Sequence, residues 1–325
     1  MIEIGYWLSS EEHGPNDLVR YARRAEEVGF TFAVISDHYH PWIDRQGQSP
    51  FAWSVIGGIA YATERLRLGT GVTCPTIRYH PAIIAQAAAT AAAMMPGRFF
   101  LGLGTGENLN EHILGDRWPP ADVRLDMLEE AVAVVRLLWQ GGLQNHHGRY
   151  FTVENARIYT LPAELPPIMI AASGAQAAEL AGRLGDGLIS VAPDPDTVDG
   201  FEAAGGAGKP RLGQFKVCWA RDQDEARRVA ATWWPIAGLK GALTTQLPVP
   251  TYFEQAASLV TEEDVAREIV SGPDPERYIA SIREFADTGY DHVYLHQVGP
   301  DQEGFFQFYK RELLPRLRKK SLVYY

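Results

Sequence analysis

The 325-residue chain has only two cysteines, Cys74 and Cys218. Two thiols exclude a disulfide framework and point to a reducing, cytoplasmic setting. No secretory leader is expected, because Glu3 and the polar stretch from Ser9 to Asn16 leave no room for an apolar core segment. Long apolar runs are also missing: the alanine-rich stretch Ala82 to Met95 is too short and too weakly apolar to span a bilayer, so no membrane partner is expected. Positive charge is in deficit, with 30 Lys and Arg against 40 Asp and Glu, and the net charge of −10 argues against nucleic acid as a partner. There is no internal repeat, no low-complexity tract and no G-x-S-x-G elbow, so Ser173-Gly174 lacks a nucleophile context. The His38–His40 pair has no matching third ligand run, and no metal site is expected. His146-His147 lies in a polar stretch and reads as solvated surface.

What is present suits a large core: 46% of residues are hydrophobic and 22% charged. Eight short apolar runs alternate with helical patterns. The runs are Ile2–Leu8, Phe30–Ser36, Leu66–Thr73, the stretch from Phe99, Pro167–Ala172, Gly187–Val191, Gln214–Ala220 and His292–Gln297. That alternation favours one (β/α)₈ TIM barrel over residues 1–325 rather than an open doubly wound sheet. A segment of about 233–260, rich in Pro, Thr and Gly, reads as an insertion loop near the mouth, of the kind that forms lids or ligand walls. The tail Lys319 to Tyr325 reads as a surface end.

The chain is organised around Phe99-Phe100-Leu101-Gly102-Leu103-Gly104-Thr105-Gly106-Glu107-Asn108-Leu109-Asn110. An apolar strand ends in alternating glycines, which let a flat or phosphorylated ligand approach the backbone, and then in a carboxylate at the catalytic end of a barrel strand. The spacing is GxGxG, not the GxGxxG of a dinucleotide loop. A plain glycine-rich turn with an exposed Glu is the competing reading. Two other strand ends carry polar residues that could converge with it: Asp37-His38 with Trp42, and the turn from Gly71 to Thr76. A histidine and a carboxylate can divide base and acid roles in proton-coupled redox chemistry. Taken alone, His38 is more often a structural hydrogen-bonder and Trp42 more often core. Exposed N–H groups behind Ser173-Gly174-Ala175 would suit a phosphate.

In combination these residues resemble a known family. Ser36-Asp37-His38-Tyr39-His40-Pro41-Trp42, Pro75-Thr76-Ile77-Arg78-Tyr79-His80-Pro81, the stretch Gly102 to Asn110, and Ala181-Gly182-Arg183-Leu184-Gly185-Asp186-Gly187 are similar to the coenzyme F420-dependent glucose-6-phosphate dehydrogenases of the bacterial-luciferase-like superfamily. The resemblance covers nearly the whole chain. It implies a homodimeric barrel with the deazaflavin at the C-terminal strand ends. It implies His38 as the base for the substrate hydroxyl, Glu107 as the proton donor to the ring, and Trp42 as the aromatic wall. It places a non-prolyl cis peptide at Gly71-Val72, and cofactor contacts at Asp37, Cys74, Thr105, Gly106, Asn110, Gly174 and Ala175; Cys74 replaces the family's usual threonine. At the sugar-phosphate site Lys240 and Arg267 match, but Val191 and Asp194 stand in place of a threonine and a lysine. A valine donates nothing to phosphate and an aspartate repels it, so the expected substrate is either glucose-6-phosphate-like or a related sugar or alcohol with a different distal group. The alternatives are an FMN-dependent monooxygenase of the same superfamily and a non-catalytic F420-binding protein.

Overall fold

The computed structural model describes residues 2–320 of the chain. The expected surface tail, Lys319 to Tyr325, lies outside the residues whose side chains it describes. Eight parallel strands close into the expected barrel: Glu3–Leu8, Phe32–Ile35, Arg67–Thr70, Phe99–Leu103, Ile168–Ala171, Gly187–Ser190, Arg211–Cys218 and His292–Gln297. The eighth strand pairs with the first, Glu3 opposite His292. The sixth and seventh pair only from Leu188 to Ser190 against Arg211 to Gly213. Beyond that short contact a further strand, Ile269–Ser271, takes the edge of the seventh, with Ile269 opposite Lys216.

The strands are apolar throughout because both faces are covered. Along the second strand, Phe32 and Val34 join Trp7, Phe100, Met169 and Tyr294 inside the barrel. Ala33 and Ile35 pack outward beneath the helices. Burying side chains of this size stabilises the fold by about 1.5–3 kcal/mol apiece. The interior is therefore filled, and ligand chemistry is confined to the rim. Helix Pro15–Val28 follows the first strand and stops at Gly29, whose φ of 104° lets its N–H reach the carbonyls of Ala25 and Glu26.

Three expectations need correction. The seventh strand begins at Arg211, not Gln214. Its start is disguised by Gly213, where Phe285 fills the space of the missing side chain, and by the buried Gln214. The insertion is not a loop: Pro235–Gly238, Leu243–Gln246 and Pro250–Ala257 are short helices. Pro235 and Pro250 start helical turns there rather than break them. Trp234, Ile236 and Phe253 then form a second core with Ile43, Leu109 and Cys218. His146 is not solvated; on the hairpin strand Gln144–His147 its Nε2 lies 3.1 Å from Glu130, which also accepts the N–H groups of Tyr150 and Phe151. His147 is exposed, as expected.

Candidate active site

The end of the second strand supplies the first polar group. Asp37 is buried and fully engaged: it accepts from Thr73 Oγ1 at 2.7 Å, Arg78 Nη2 at 3.1 Å and Tyr79 OH at 3.1 Å. Burial, followed by the Asp37 charge, pushes the Tyr79 phenol well above its ordinary pKa. Arg78 also donates its backbone N–H to Glu111 at 2.9 Å, and its Nε lies 3.6 Å from the same carboxylate. Burial outweighs that cation and holds Glu111 up at about 7. Arg78, Tyr79 and Glu111 were not singled out in the sequence, although Arg78-Tyr79 sit inside a quoted motif.

His38 is half-buried, and its Nδ1 lies 3.3 Å from Glu11 Oε1. The other Glu11 oxygen accepts from Ser9 at 2.9 Å and Ser36 at 2.8 Å. Burial alone would raise the Glu11 carboxyl; His38, a backbone N–H and Ser36 together hold it below its ordinary value. Among the described residues His38 Nδ1 makes no hydrogen bond, so Glu11 acts on the ring as a nearby charge behind one imidazole nitrogen. Glu11 escaped notice because it precedes His38 by a whole helix and strand. The Trp42 ring sits 5.1 Å from that of His38 and rests on the edge of Phe253 in the insertion.

The fourth strand end is shaped by close approach. A Cβ at Gly102 would collide with the Thr70 carbonyl, and one at Gly106, where φ is 74°, would lie 2.7 Å from Cys74 Sγ. Cys74 is buried, 3.1 Å from Thr76 Oγ1. The peptide between Gly71 and Val72 is cis, as expected. Glu107 precedes the short helix Asn108–Glu111. Asn110 is the tie between the two strand ends: its Nδ2 donates to Glu107 at 3.3 Å, while its Oδ1 accepts the N–H groups of Tyr39 and His40. Thr105 is half-buried beside these residues, and Gly174 and Ala175 are exposed where helix Ala175–Leu184 begins.

Of the matched phosphate-site residues, Asp194 and Arg267 are engaged within the protein and Val191 and Lys240 are exposed. Val191 is exposed just past the sixth strand. Asp194 caps helix Pro195–Phe201, accepting from Asp196 N at 3.2 Å and Thr197 Oγ1 at 2.6 Å. Arg267 pairs with Asp264 at 2.9 Å on an exposed face, and hydrogen bonds from Thr261, followed by the charges of Arg267 and Lys240, hold the Asp264 carboxyl below its ordinary value. A second buried pair lies inside the rim: His296 Nε2 is 3.0 Å from Glu12 Oε2, and Glu12 also accepts the Gly299 N–H at 2.9 Å. Burial pushes Glu12 up to about 7 and, with the Lys216 charge, pushes His296 down to about 3.

The family model described as luciferase-like monooxygenase matches residues 1–292. This chain belongs to the luciferase-like family. Among its relatives is an "F420-dependent glucose-6-phosphate dehydrogenase" of Microbacterium testaceum, 38% identical over 98% of both chains. Another protein of that name, from Nakamurella multipartita, is 38% identical over 98% of this chain and 97% of its own. A solved F420-dependent secondary alcohol dehydrogenase, in complex with an F420-acetone adduct, superposes with a TM-score of 0.90 at 34% identity, covering 98% of this chain and 99% of that one. A tetrahydromethanopterin reductase of Methanopyrus kandleri, at 22% identity and a TM-score of 0.78, covers 97% of this chain and 99% of its own and shares the fold. Among the described residues, no helix of this luciferase-like chain is long and apolar enough to cross a membrane.

Proposed function

We propose that this protein is an F420-dependent dehydrogenase acting on the CH–OH carbon of a sugar or alcohol. The observation that carries the reading is the bridge through Asn110, which joins the His38 segment to Glu107 across two strand ends. The names of the full-length relatives support the same cofactor and the same class of bond.

The rim fits a flat, phosphorylated deazaflavin. Gly104 and Gly106 are packed against Val72 and Cys74, which seats those two side chains closely beneath the rim, while no atom would lie within 4 Å of a Cβ at Gly174, so the start of helix Ala175–Leu184 is open to a phosphate. Asp37, the Gly71-Val72 peptide, Cys74, Thr105, Gly106 and Asn110 would line the ring side. Bound F420 supplies a carbon hydride acceptor at C5. His38, with the Glu11 carboxylate 3.3 Å behind its Nδ1, takes the hydroxyl proton of the substrate. Glu107 holds the proton destined for N1 of the ring, positioned by Asn110. Trp42 and the insertion behind it shield the reacting carbon from water.

The substrate lacks the phosphate of glucose 6-phosphate in this reading. Val191 offers no donor, Asp194 adds a negative charge, and Arg267 is already paired. Titration with F420 and with FMN, followed by turnover with a panel of sugars and secondary alcohols, tests the proposal. Tight F420 binding with loss of its visible absorbance on adding an alcohol is expected. Binding of FMN in preference to F420, or F420 binding without turnover on any alcohol or sugar, would reject it.

A further inference from the structure

Two polar residues at the barrel mouth have no part in the proton transfers described above. Lys216 and His296 lie directly opposite each other on the seventh and eighth strands. Side chains alternate along a strand. Lys216 therefore shares the inner face with Leu212, and His296 shares it with Tyr294, both members of the cluster that fills the barrel. The pair sits above that apolar plug, at the level of the rim. His296 is 1% exposed, with its ring on edge against Trp234 at 4.5 Å; Glu12 takes its Nε2, and its Nδ1 has no partner. Lys216 is half-buried; burial lowers its pKa while the charges of Glu268 and Glu11 favour its ammonium form, and its own charge acts on His296. Among the described residues its ammonium makes no hydrogen bond and no ion pair.

An ammonium drawn out of bulk water without a partner is unfavourable unless a ligand completes its shell. The chemistry of the surroundings selects the ligand. A dianion would gain from Lys216 but meet the carboxylates of Glu11 and Glu268. A hydroxyl both accepts and donates, and so matches a cation set among carboxylates. Glu11 connects this group to the base, since it faces His38 directly and Lys216 through its field.

We propose that Lys216 is a specificity residue whose ammonium donates to a hydroxyl oxygen on the carbon next to the reacting carbinol. The preferred substrates are then uncharged vicinal diols, the arrangement found in unphosphorylated sugars. This rests on the dehydrogenase reading and extends it to the substrate class.

The test compares wild type, Lys216→Met and Lys216→Arg, using F420 reduction by matched pairs: propane-1,2-diol against propan-2-ol, and glucose against cyclohexanol. Wild type is expected to favour the diol of each pair. Lys216→Met should lose about ten- to a hundredfold in kcat/KM on the diols, mainly through KM, as a charged donor is removed. The plain alcohols and F420 affinity should stay within about twofold, and Lys216→Arg should recover part of the loss. An equal fall on both members of a pair, or no fall, would overturn the proposal. Failure of the underlying reading looks different: wild type would bleach F420 with nothing. A second measurement still decides then. The chain has six lysines, at 209, 216, 240, 310, 319 and 320. Amine labelling followed by peptide mass mapping should show glucose protecting Lys216; equal labelling with and without glucose would overturn the assignment.

Discussion

The ends of the first four barrel strands and the ends of the next two are built differently. On the first side almost every polar group is held by another. Glu11 takes Ser9, Ser36 and His38; Asp37 takes Thr73, Arg78 and Tyr79; Asn110 ties Tyr39 and His40 to Glu107. On the second side Gly174, Ala175 and Val191 are exposed, and the charge of Asp194 serves its own helix. Groups that move protons must be held in place. Groups that choose among substrates can differ without disturbing that frame. In the dehydrogenase reading the first side would carry the reaction, and Val191 and Asp194 of the second would bear on the choice of substrate, in keeping with relatives named for different alcohols.

The largest effect should come from the reaction side. His38→Asn is expected to lower kcat by about 10²–10⁴-fold, the usual contribution of a general base, with F420 affinity retained in a fluorescence titration. An unchanged kcat would remove His38 from the chemistry. Next is stability. Arg78→Met strands the carboxylates of Asp37 and Glu111 and should cost about 3–5 kcal/mol in denaturant unfolding. The exposed Arg267–Asp264 pair is the control, and Arg267→Met should change stability by about 1 kcal/mol or less. Similar losses for both would mean that the buried network does not hold the rim.

The specificity side should respond by gain. Val191→Thr combined with Asp194→Lys restores a donor and reverses a charge. It should improve kcat/KM on glucose 6-phosphate by about tenfold or more, while loss of the helix cap costs roughly 1 kcal/mol of stability. No gain would show that these positions do not face the distal group.

The smallest effect concerns pH. The Glu111 carboxyl is raised by burial to about 7 from an ordinary 4.5. A raised acid binds more protons folded than unfolded, so its stabilising contribution is present below about 4.5 and lost as pH climbs through about 7. Wild type should therefore lose stability relative to Glu111→Gln between pH 5 and 8, measured by unfolding at each pH. A constant difference would place the Glu111 titration elsewhere.

The barrel was legible because strands covered on both faces must be apolar, and all eight stood out as apolar runs. Only the start of the seventh was missed, since Arg211 and Gly213 carry no apolar signature, and Lys216 looks like surface when read alone. Only the register opposite His296 shows that it points inward. His38, Trp42 and Glu107 were legible through local motifs that a family resemblance could match. Glu11 and Arg78 were not, because their roles depend on contacts made across strand ends. The insertion was misread for a related reason: Pro235 and Pro250 interrupt a pattern in sequence but begin helices in space.

The most direct test is the absorbance of oxidised F420 mixed with purified protein and either glucose 6-phosphate or an unphosphorylated sugar or alcohol. Separation of reaction from specificity predicts bleaching by the unphosphorylated compound, with glucose 6-phosphate no better a substrate. Strong preference for glucose 6-phosphate, at a KM far below that of glucose, would contradict it.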